Sequence, residues 1–302
     1  MLNSIFGKVA PVGNHVEVTP LNRFMDELRY FCEDQAHVEI YVNAFAQVTA
    51  LTSNRQIIRL PVKWEVNDVS ELVSELAWAS NTRLDPYRPF AGGVISELNW
   101  RWHAITPPMS PDGPMLVLRR QRFSEIGFEG FELAGFVPEK LFEWLKDGTS
   151  LVVFGATGSG KTTFLVSILR EFFLQNRVGI AESIQEIPLL SSNWFRLIET
   201  PIDPGGRGGV DFQRVVSEMM RLSPEVLVLG ELRGAETRCL SSFARTGHGG
   251  VMATLHAGNF SDATHRLSGL SGESLDQMPS IIGLHVQRSN SGLTKVCAGK
   301  LN

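Results

Sequence analysis

Residues 151–162 read LVVFGATGSGKT, and the organisation of the second half of the chain follows from this stretch. The apolar residues at its start predict a short buried strand. The residues after them match the pattern G-x-x-x-x-G-K-[ST] from Gly155 to Thr162. An apolar stripe at helical spacing comes next, so a helix is expected directly after the glycine-rich loop. This order of elements predicts a phosphate site, because free backbone N–H groups and the helix dipole favour negative charge at a helix N-terminus.

The loop residues have distinct expected roles in binding ATP and Mg²⁺. The glycines let consecutive N–H groups turn toward phosphate oxygens, Lys161 supplies a positive charge to the β and γ phosphates, and the hydroxyl of Thr162 can bind Mg²⁺. The predicted nucleotide-binding residues of the loop are Gly155, Ala156, Thr157, Gly158, Ser159, Gly160, Lys161, Thr162 and Thr163.

A second apolar strand ends in a carboxylate. Residues 225–231 read EVLVLGE, which predicts a buried strand with Glu231 at the carboxyl edge of the sheet, where it would face the loop. A carboxylate there can orient Mg²⁺ through water or activate the attacking water. The alternative is that Glu231 only caps the next helix. His248 and His256 flank the short strand 251–253, and they are interpreted either as a γ-phosphate sensor or as structural histidines.

Composition limits the class of protein. The 302 residues are enough for two domains, and 43% hydrophobic with 20% charged residues is typical of a soluble globular chain. A net charge of −4 gives no general attraction to nucleic acid or anionic lipid. Three scattered cysteines predict neither a disulfide framework nor a zinc site. No apolar run is long enough for a signal peptide or a membrane span, so a cytoplasmic protein is expected.

The domain organisation is predicted from a change of pattern along the chain. Residues 1–122 read as an α+β N-terminal domain, within which Asp68 and Glu71 predict a capping box at a helix start. Residues 123–136 contain three glycines and read as a linker. Residues 137–302 alternate helices with short apolar strands, which predicts an α/β domain with a parallel sheet.

Several blocks together resemble a known family. Residues 220–236 read MRLSPEVLVLGELRGAE, and TGH at 246–248 and ATLHA at 253–257 follow. Residues 100–108, WRWHAITPP, lie upstream of them. These blocks resemble the secretion ATPase superfamily of type II and type IV systems. The likeness is closest to the conjugation-type traffic ATPases and the tight-adherence pilus ATPases. It extends from about residue 85 to the C-terminus, whereas residues 1–80 agree only in general shape.

This resemblance implies a homohexameric ring of two-domain subunits. Nucleotide would lie between the N-terminal domain and a RecA-like C-terminal domain. Glu231 would be the Walker B glutamate, and His248 and His256 would belong to the histidine box of the family. Arg101, and Arg119 or Arg120, match positions from which the N-terminal domain reaches toward the phosphates. An arginine in that role is worth about 10³–10⁵ in rate, and the alternative for each is a solvated strand residue.

The acidic box departs from the family pattern. Residues 181–186 read AESIQE, so Ser183 stands where an aspartate is usual. Glu182 is expected to be catalytic, and activity could be low. The paired-cysteine insertion of the type II secretion branch is missing, which argues against that branch.

The leading hypothesis is a cytoplasmic ATPase, peripheral on the bacterial inner membrane, that powers secretion or pilus assembly. Its partners would be further copies of itself and inner-membrane platform proteins. A retraction motor of twitching pili is the nearest alternative. A nucleic-acid translocase is another, although the acidic charge and the lack of an aromatic and basic cluster predict no direct nucleic-acid contact. A non-hydrolysing, nucleotide-gated scaffold is the third.

Overall fold

The computed structural model describes residues 23–80, 82–95, 97–121, 126–202, 208–245, 250–288 and 294–302. Within these ranges the strands form two large sheets and one two-stranded ribbon. No helix of the described ranges is both long and apolar enough to cross a membrane.

The smaller sheet is built from the first part of the chain, and its strand order is β3-β2-β1-β6-β5-β4, with every neighbouring pair antiparallel. Its elements are α1 (Arg23–Glu33), β1 (His37–Asn43), β2 (Gln47–Thr52), β3 (Ile57–Arg59), α2 (Val66–Ala79), β4 (Phe90–Ile95), β5 (Trp100–Ile105) and β6 (Met115–Arg120). Alternate residues of β5, namely Trp100, Trp102 and Ala104, are buried in a core shared with α1 and α2. Because strand side chains alternate between faces, Arg101 lies on the opposite face, directly across from its cross-strand partner Arg119.

The start of α2 differs from the prediction. Glu65 is the N-cap, its side chain accepts a backbone N–H of the first turn, and its own N–H donates to Asp68 Oδ2 at 2.7 Å. Asp68 is therefore the third helical residue of the capping box and not its cap. The predicted box of Asp68 and Glu71 was wrong by one turn, because a glutamate can also accept the N-cap hydrogen bond.

The larger sheet has the order β10-β9-β13-β14-β8-β15-β16-β7. Its elements and the helices around it are β7 (Phe131–Ala134), α3 (Pro138–Lys146), β8 (Ser150–Gly155), α4 (Lys161–Phe172), β9 (Val178–Glu182), β10 (Trp194–Ile198), α5 (Phe212–Met220), β13 (Val226–Leu229), α6 (Cys239–Arg245), β14 (Val251–His256), α7 (Phe260–Ser271), β15 (Ile281–Arg288) and β16 (Thr294–Lys300). The ribbon pairs β11 (Thr200–Ile202) with β12 (Gly208–Val210). All neighbours in the large sheet are parallel except β15 and β16, and apolar cores cover both faces. The predicted α/β class is confirmed.

Part of the predicted linker belongs to the larger sheet. Phe131–Ala134 pair with β16 as its parallel edge strand, and Phe131 and Leu133 pack against the apolar core. The apolar side chains explain this placement, because they remove surface from water when the segment pairs at the sheet edge. The remaining boundaries of the two halves stay predictions.

The strand order brings the sequence blocks to one edge. β14 lies between β8 and β13, and β9 follows on the far side of β13. In register, His256 is opposite Gly155, and Leu229 is opposite both Ala253 and Ala181. Because these strands are parallel, their carboxyl ends meet at the same edge of the sheet. This edge is where ligands bind in open α/β sheets.

Candidate nucleotide-binding site

The loop between β8 and α4 has the backbone of a phosphate loop. Gly158 and Gly160 have φ values of +71° and +101°, a region that disfavours residues with a Cβ. The first helical hydrogen bond of α4 runs from Phe164 N to Gly160 O at 2.9 Å. The N–H groups of the first turn before it therefore have no intrahelical partner, as at any helix N-terminus. They are available to an anionic ligand.

The charge of Lys161 lies inside this loop. The residue is only 7% exposed, and its Nζ donates to the carbonyl oxygens of Gly155 at 3.2 Å and Ala156 at 3.0 Å. Burial lowers the pKa of Lys161 to about 8, against the attraction of the Glu231 carboxylate. A desolvated ammonium whose hydrogen-bond partners are uncharged groups gains from an anion brought into the loop.

His256 links Lys161 to Glu231. Its Nδ1 lies 3.2 Å from Lys161 Nζ, and its Nε2 lies 3.5 Å from Glu231 Oε1. Burial and the neighbouring Lys161 charge lower the pKa of His256, which favours the neutral ring at pH 7. A neutral ring protonated on Nε2 satisfies both contacts, because Nδ1 then accepts from the ammonium while Nε2–H points to the carboxylate.

Glu231 has a second partner that was not predicted. Arg233 Nη2 donates to Glu231 Oε2 at 2.6 Å. Burial pushes the pKa of Glu231 upward, but the Arg233 hydrogen bond and the charges of Arg233, His256 and Lys161 outweigh it and bring the pKa below the usual value. Glu231 is therefore an ionised carboxylate that lies between the phosphate loop and an arginine.

The acidic box contains two carboxylates with different surroundings. Glu182 is 1% exposed; its Oε1 accepts N–H groups from Glu186 and Ile187 at 2.9 and 2.8 Å, and its Oε2 accepts from Arg196 Nε at 2.8 Å. Burial raises the pKa of Glu182 despite these partners. Both oxygens are thus engaged in holding residues 183–187, and the predicted catalytic contact of Glu182 is not seen.

Glu186 is the carboxylate of the box that lies toward the site. It pairs with Arg101 of β5, and its charge acts on both Lys161 and Arg233. The sequence contained this residue in the acidic box, but its neighbours become visible only when β9 and the smaller sheet are placed together. Through this pair Arg101 reaches the carboxyl edge of the larger sheet, and its contact with the phosphates stays a prediction.

Arg119 also reaches the phosphate loop. It pairs with Glu39 Oε1 at 3.4 Å, and a Cβ built on Gly158 would lie 3.3 Å from Arg119 Nη2. Its charge lowers the pKa of Lys161. A guanidinium this close to the loop adds a second positive charge beside that of Lys161.

Arg120 is not part of this site, which corrects one of the two alternatives. It lies on the other face of β6, where it packs 4.9 Å over the Trp100 ring. It donates to the carbonyl oxygens of Cys32 and Asp34 at 2.6 Å and of His37 at 2.9 Å. The alternation of strand side chains separates it from Arg119 and makes it a structural residue of the smaller sheet.

The remaining predicted residues bear on Mg²⁺ and on the γ-phosphate. His248 lies outside the described residues, so its expected role stays a prediction. In the described ranges no group of three or more histidine, cysteine or acidic residues could hold a metal ion. The loop fits a nucleotide with Mg²⁺ nevertheless, because Mg²⁺ is usually held by one or two protein groups, water and the phosphates themselves. Within the described chain, Ser159 Oγ in the loop is buried without a hydrogen-bond partner, as in a site that a polar ligand completes.

The comparison with protein families gives one match. The sequence model described as "Type II/IV secretion system protein" matches residues 94–301. The chain belongs to the type II/IV secretion system protein family. The matched range contains Arg101, the phosphate loop, Glu231 and His256, and the resemblance inferred from the sequence blocks is confirmed.

Named relatives of this family come from several bacteria. Two Mycobacterium tuberculosis proteins named for conjugal transfer are each 29% identical over 211 residues, covering 67% of this chain and 60% of the relative. The conjugal transfer protein TrbB of Rhizobium radiobacter is 26% identical over 235 residues, covering 73% of this chain and 70% of the relative. The matched region thus spans about 60% of the length of the mycobacterial relatives.

Two solved structures share the fold of this chain. The ATPase DotB of Legionella pneumophila superposes with a TM-score of 0.61 at 20% identity, covering 91% of this chain and 79% of DotB. The pilus retraction motor PilT, solved with bound ADP, gives 0.63 at 16% identity, covering 91% of this chain and 82% of PilT. These likenesses confirm the predicted fold, a RecA-like P-loop domain with a smaller α+β N-terminal domain.

Proposed function

We propose that this chain is a Mg²⁺-dependent ATPase that works as a homohexameric motor for secretion or pilus assembly. The observation that carries the proposal is the chain of contacts from Lys161 through His256 to Glu231 at the carboxyl edge of the sheet. It joins the group that binds phosphate to the group that can activate water. The bound ADP of PilT, a protein of the same fold, supports an adenine nucleotide as the ligand.

The loop residues bind and orient the nucleotide. Lys161 neutralises the β and γ phosphates, and the first-turn N–H groups of α4 donate to the same oxygens. Thr162 and Glu231 would hold Mg²⁺, the latter through water, and the cation would supply positive charge to offset the charge that develops on the phosphates. No other described residue is assigned to the metal.

Glu231 acts as the general base. Its ionised carboxylate takes a proton from water, whose oxygen attacks the γ phosphorus while the bond to the ADP oxygen breaks. Arg101 and Arg119 stabilise negative charge on the transferred phosphoryl group. His256 contacts both Lys161 and Glu231 and so fixes their relative positions. Glu182 does not contact the reacting atoms but holds the loop that carries Glu186.

Family membership supports the proposed assembly and partners. Relatives named for conjugal transfer support a role at a secretion complex, with the protein peripheral on the cytoplasmic side of the inner membrane and docked to platform proteins. Arg101 and Arg119 extend from the smaller sheet to the edge of the larger one, so movement between the sheets changes the contacts of the phosphates. Such rigid-body motion is how a motor of this kind transmits work.

A nucleotide-gated scaffold with weak or no hydrolysis is the second candidate. The 2.6 Å contact between Arg233 and Glu231 favours it, because a carboxylate paired with an arginine is a weaker base. Both candidates bind ATP. The motor hydrolyses it, whereas the scaffold has weak or no hydrolysis.

The deciding experiment is ATP hydrolysis per protomer as a function of protein concentration, for the wild type and Glu231→Gln. A motor with shared sites gives a specific activity that rises with concentration and is lost in Glu231→Gln. Tight ATP binding without hydrolysis at any concentration would instead support the scaffold.

A further inference from the structure

Two ion pairs lie side by side at the carboxyl edge of the larger sheet, and the proposed hydrolysis uses neither pair as it stands. In one, Arg233 Nη2 donates to Glu231 Oε2 at 2.6 Å. In the other, Arg101 of the smaller sheet pairs with Glu186. Glu231 and Arg101 are the residues that act in the proposed reaction. Each of them must separate from its ion-pair partner, Arg233 or Glu186, before it can act.

In each pair, the backbone N–H of one residue, Arg233 or Glu186, is hydrogen-bonded to a buried glutamate. Glu236, which is buried, accepts the N–H groups of Arg233 and Gly234 on Oε1 at 2.6 and 2.7 Å. Glu182 holds the N–H of Glu186 in the same way. The Arg233 side chain itself is 58% exposed, so this side chain can change partner while its backbone stays in place.

Arg233 has acidic neighbours other than Glu231. Its pKa is raised first by the Glu231 hydrogen bond and charge, and then by the charges of Glu186 and Glu199. Strands β9 and β13 are adjacent and parallel, with Ala181 opposite Leu229, so the loops that follow them leave the sheet side by side. Glu186 is therefore a second carboxylate within electrostatic reach of Arg233, and Arg101 occupies it in this structure.

We propose that Arg233 is a positioning residue that restrains Glu231 and transfers to Glu186 when Arg101 leaves that carboxylate. The inference rests on the proposed ATPase function. Arg101 belongs to the smaller sheet, and the proposed function moves it to the phosphates. The movement of that sheet would then release the general base in the same step, which couples nucleotide contact to the availability of Glu231.

The chemistry of Glu231 changes with this transfer. In the observed pair one carboxylate oxygen is occupied and the arginine charge stabilises the ionised form. Without Arg233, Oε2 loses its donor, while Lys161 and the neutral imidazole of His256 remain near the carboxylate. The basicity of Glu231 then rises, because the arginine charge that stabilised its ionised form is gone. The part of the acid limb that reports protonation of Glu231, as distinct from the part that reports His256, therefore moves to higher pH when Arg233 is removed.

A double-mutant cycle on turnover tests the transfer. Turnover at saturating ATP is measured for the wild type, Arg233→Gln, Glu186→Gln and the double variant, with thermal unfolding to establish that each is folded. We expect Arg233→Gln to raise turnover about twofold or more and Glu186→Gln to lower it about threefold or more, in the range of coupled neighbours. In the Arg233→Gln background the effect of Glu186→Gln is expected to disappear.

Two controls sharpen the cycle. Arg233→Lys keeps the charge and should retain wild-type turnover and pH profile. Arg214→Gln, which removes an exposed arginine from its pair with Glu218, should change neither quantity. If Glu186→Gln lowers turnover equally in the wild type and in Arg233→Gln, then Glu186 acts through Arg101 alone and the inference is overturned. A fall in turnover in Arg233→Gln with an unmoved acid limb would also overturn it. A wild type that binds ATP without hydrolysing it would instead refute the proposed motor, and this inference with it.

Discussion

Lys161 Nζ lies 3.2 Å from Nδ1 of His256, so the positive charge of the phosphate loop is held by a residue of the neighbouring strand. The contact needs an unprotonated Nδ1, and the imidazole then presents Nε2 to Glu231 at 3.5 Å. Strands β8 and β14 are paired, with His256 opposite Gly155, which fixes the geometry. We therefore expect protonation changes at either end of this contact to alter ATP binding or hydrolysis.

ATP affinity should fall as pH rises above about 8. Burial lowers the pKa of Lys161 to about 8, and bound phosphate would raise it, so binding takes up a proton above that pH. The dissociation constant then increases by up to about tenfold per pH unit between the two pKa values. Titration calorimetry between pH 7 and 10 measures this. Lys161→Arg stays charged throughout and should remove the slope; an unchanged slope would assign the effect to another group.

Turnover should have an acid limb that depends on His256. Burial and Lys161 lower the pKa of His256, so the ring is neutral near pH 7 and gains a proton only below its usual value of about 6.5. The protonated ring can no longer accept from Lys161 and repels it, so turnover falls with decreasing pH. His256→Gln should have a lower plateau and lack this limb. His265→Gln, an exposed position on α7, is the matched control. An identical acid limb in His256→Gln would contradict the assignment.

Alanine substitutions of the two neighbouring arginines of β6 should affect different properties, turnover for Arg119 and stability for Arg120. Arg119→Ala should slow hydrolysis by about 10³-fold or more while ATP affinity changes little, because the guanidinium acts on charge that develops in the transition state. Arg120→Ala should lower the free energy of unfolding by about 1–3 kcal/mol, since the partly buried carbonyl oxygens of Cys32 and His37 lose a donor. Turnover per folded protomer should stay near wild type in that variant. Equal turnover in Arg119→Ala and wild type would remove Arg119 from the site.

The pair of Glu182 and Arg196 should be important for stability. Glu182→Ala leaves the Arg196 guanidinium, which is only 10% exposed, without its carboxylate and frees two N–H groups. Removing one partner of a buried ion pair costs about 3–5 kcal/mol. Urea unfolding measures this, with Lys140→Ala in the exposed pair with Glu143 expected within about 1 kcal/mol of wild type. Wild-type stability in Glu182→Ala would mean that the carboxylate does not hold the loop.

The edge of the larger sheet was predictable because its determinants are local. The glycine loop with Lys161, the apolar strand before Glu231 and the strand before His256 each have their own sequence pattern. Parallel strands with consecutive helices bring such strand ends to one edge. The mutual contacts of the three side chains required the strand order, in which β14 separates β8 from β13.

The residues that were misplaced depend on long-range packing. Arg119 and Arg120 are adjacent, and only the packing of α1 and α2 against one face of the smaller sheet decides which of them lies on the helix-covered face. Glu182 looks catalytic in sequence, but its partner Arg196 lies across the β9–β10 pair, where Arg196 is opposite Ile180. Arg233 lies only two residues from Glu231, but no sequence pattern assigned it a contact with that carboxylate. The pairing of Glu186 with Arg101 could be found only when β9 and the smaller sheet were placed together.

The most direct test of the proposed ATPase is a parallel measurement of ATP affinity and turnover in the wild type and Glu231→Gln, with Mg²⁺ present. If Glu231 is the general base, affinity stays within a few-fold of wild type and turnover falls by about 10²–10⁴. Turnover equal to wild type in Glu231→Gln would contradict the account, because the carboxylate at the end of β13 would then have no part in activating water.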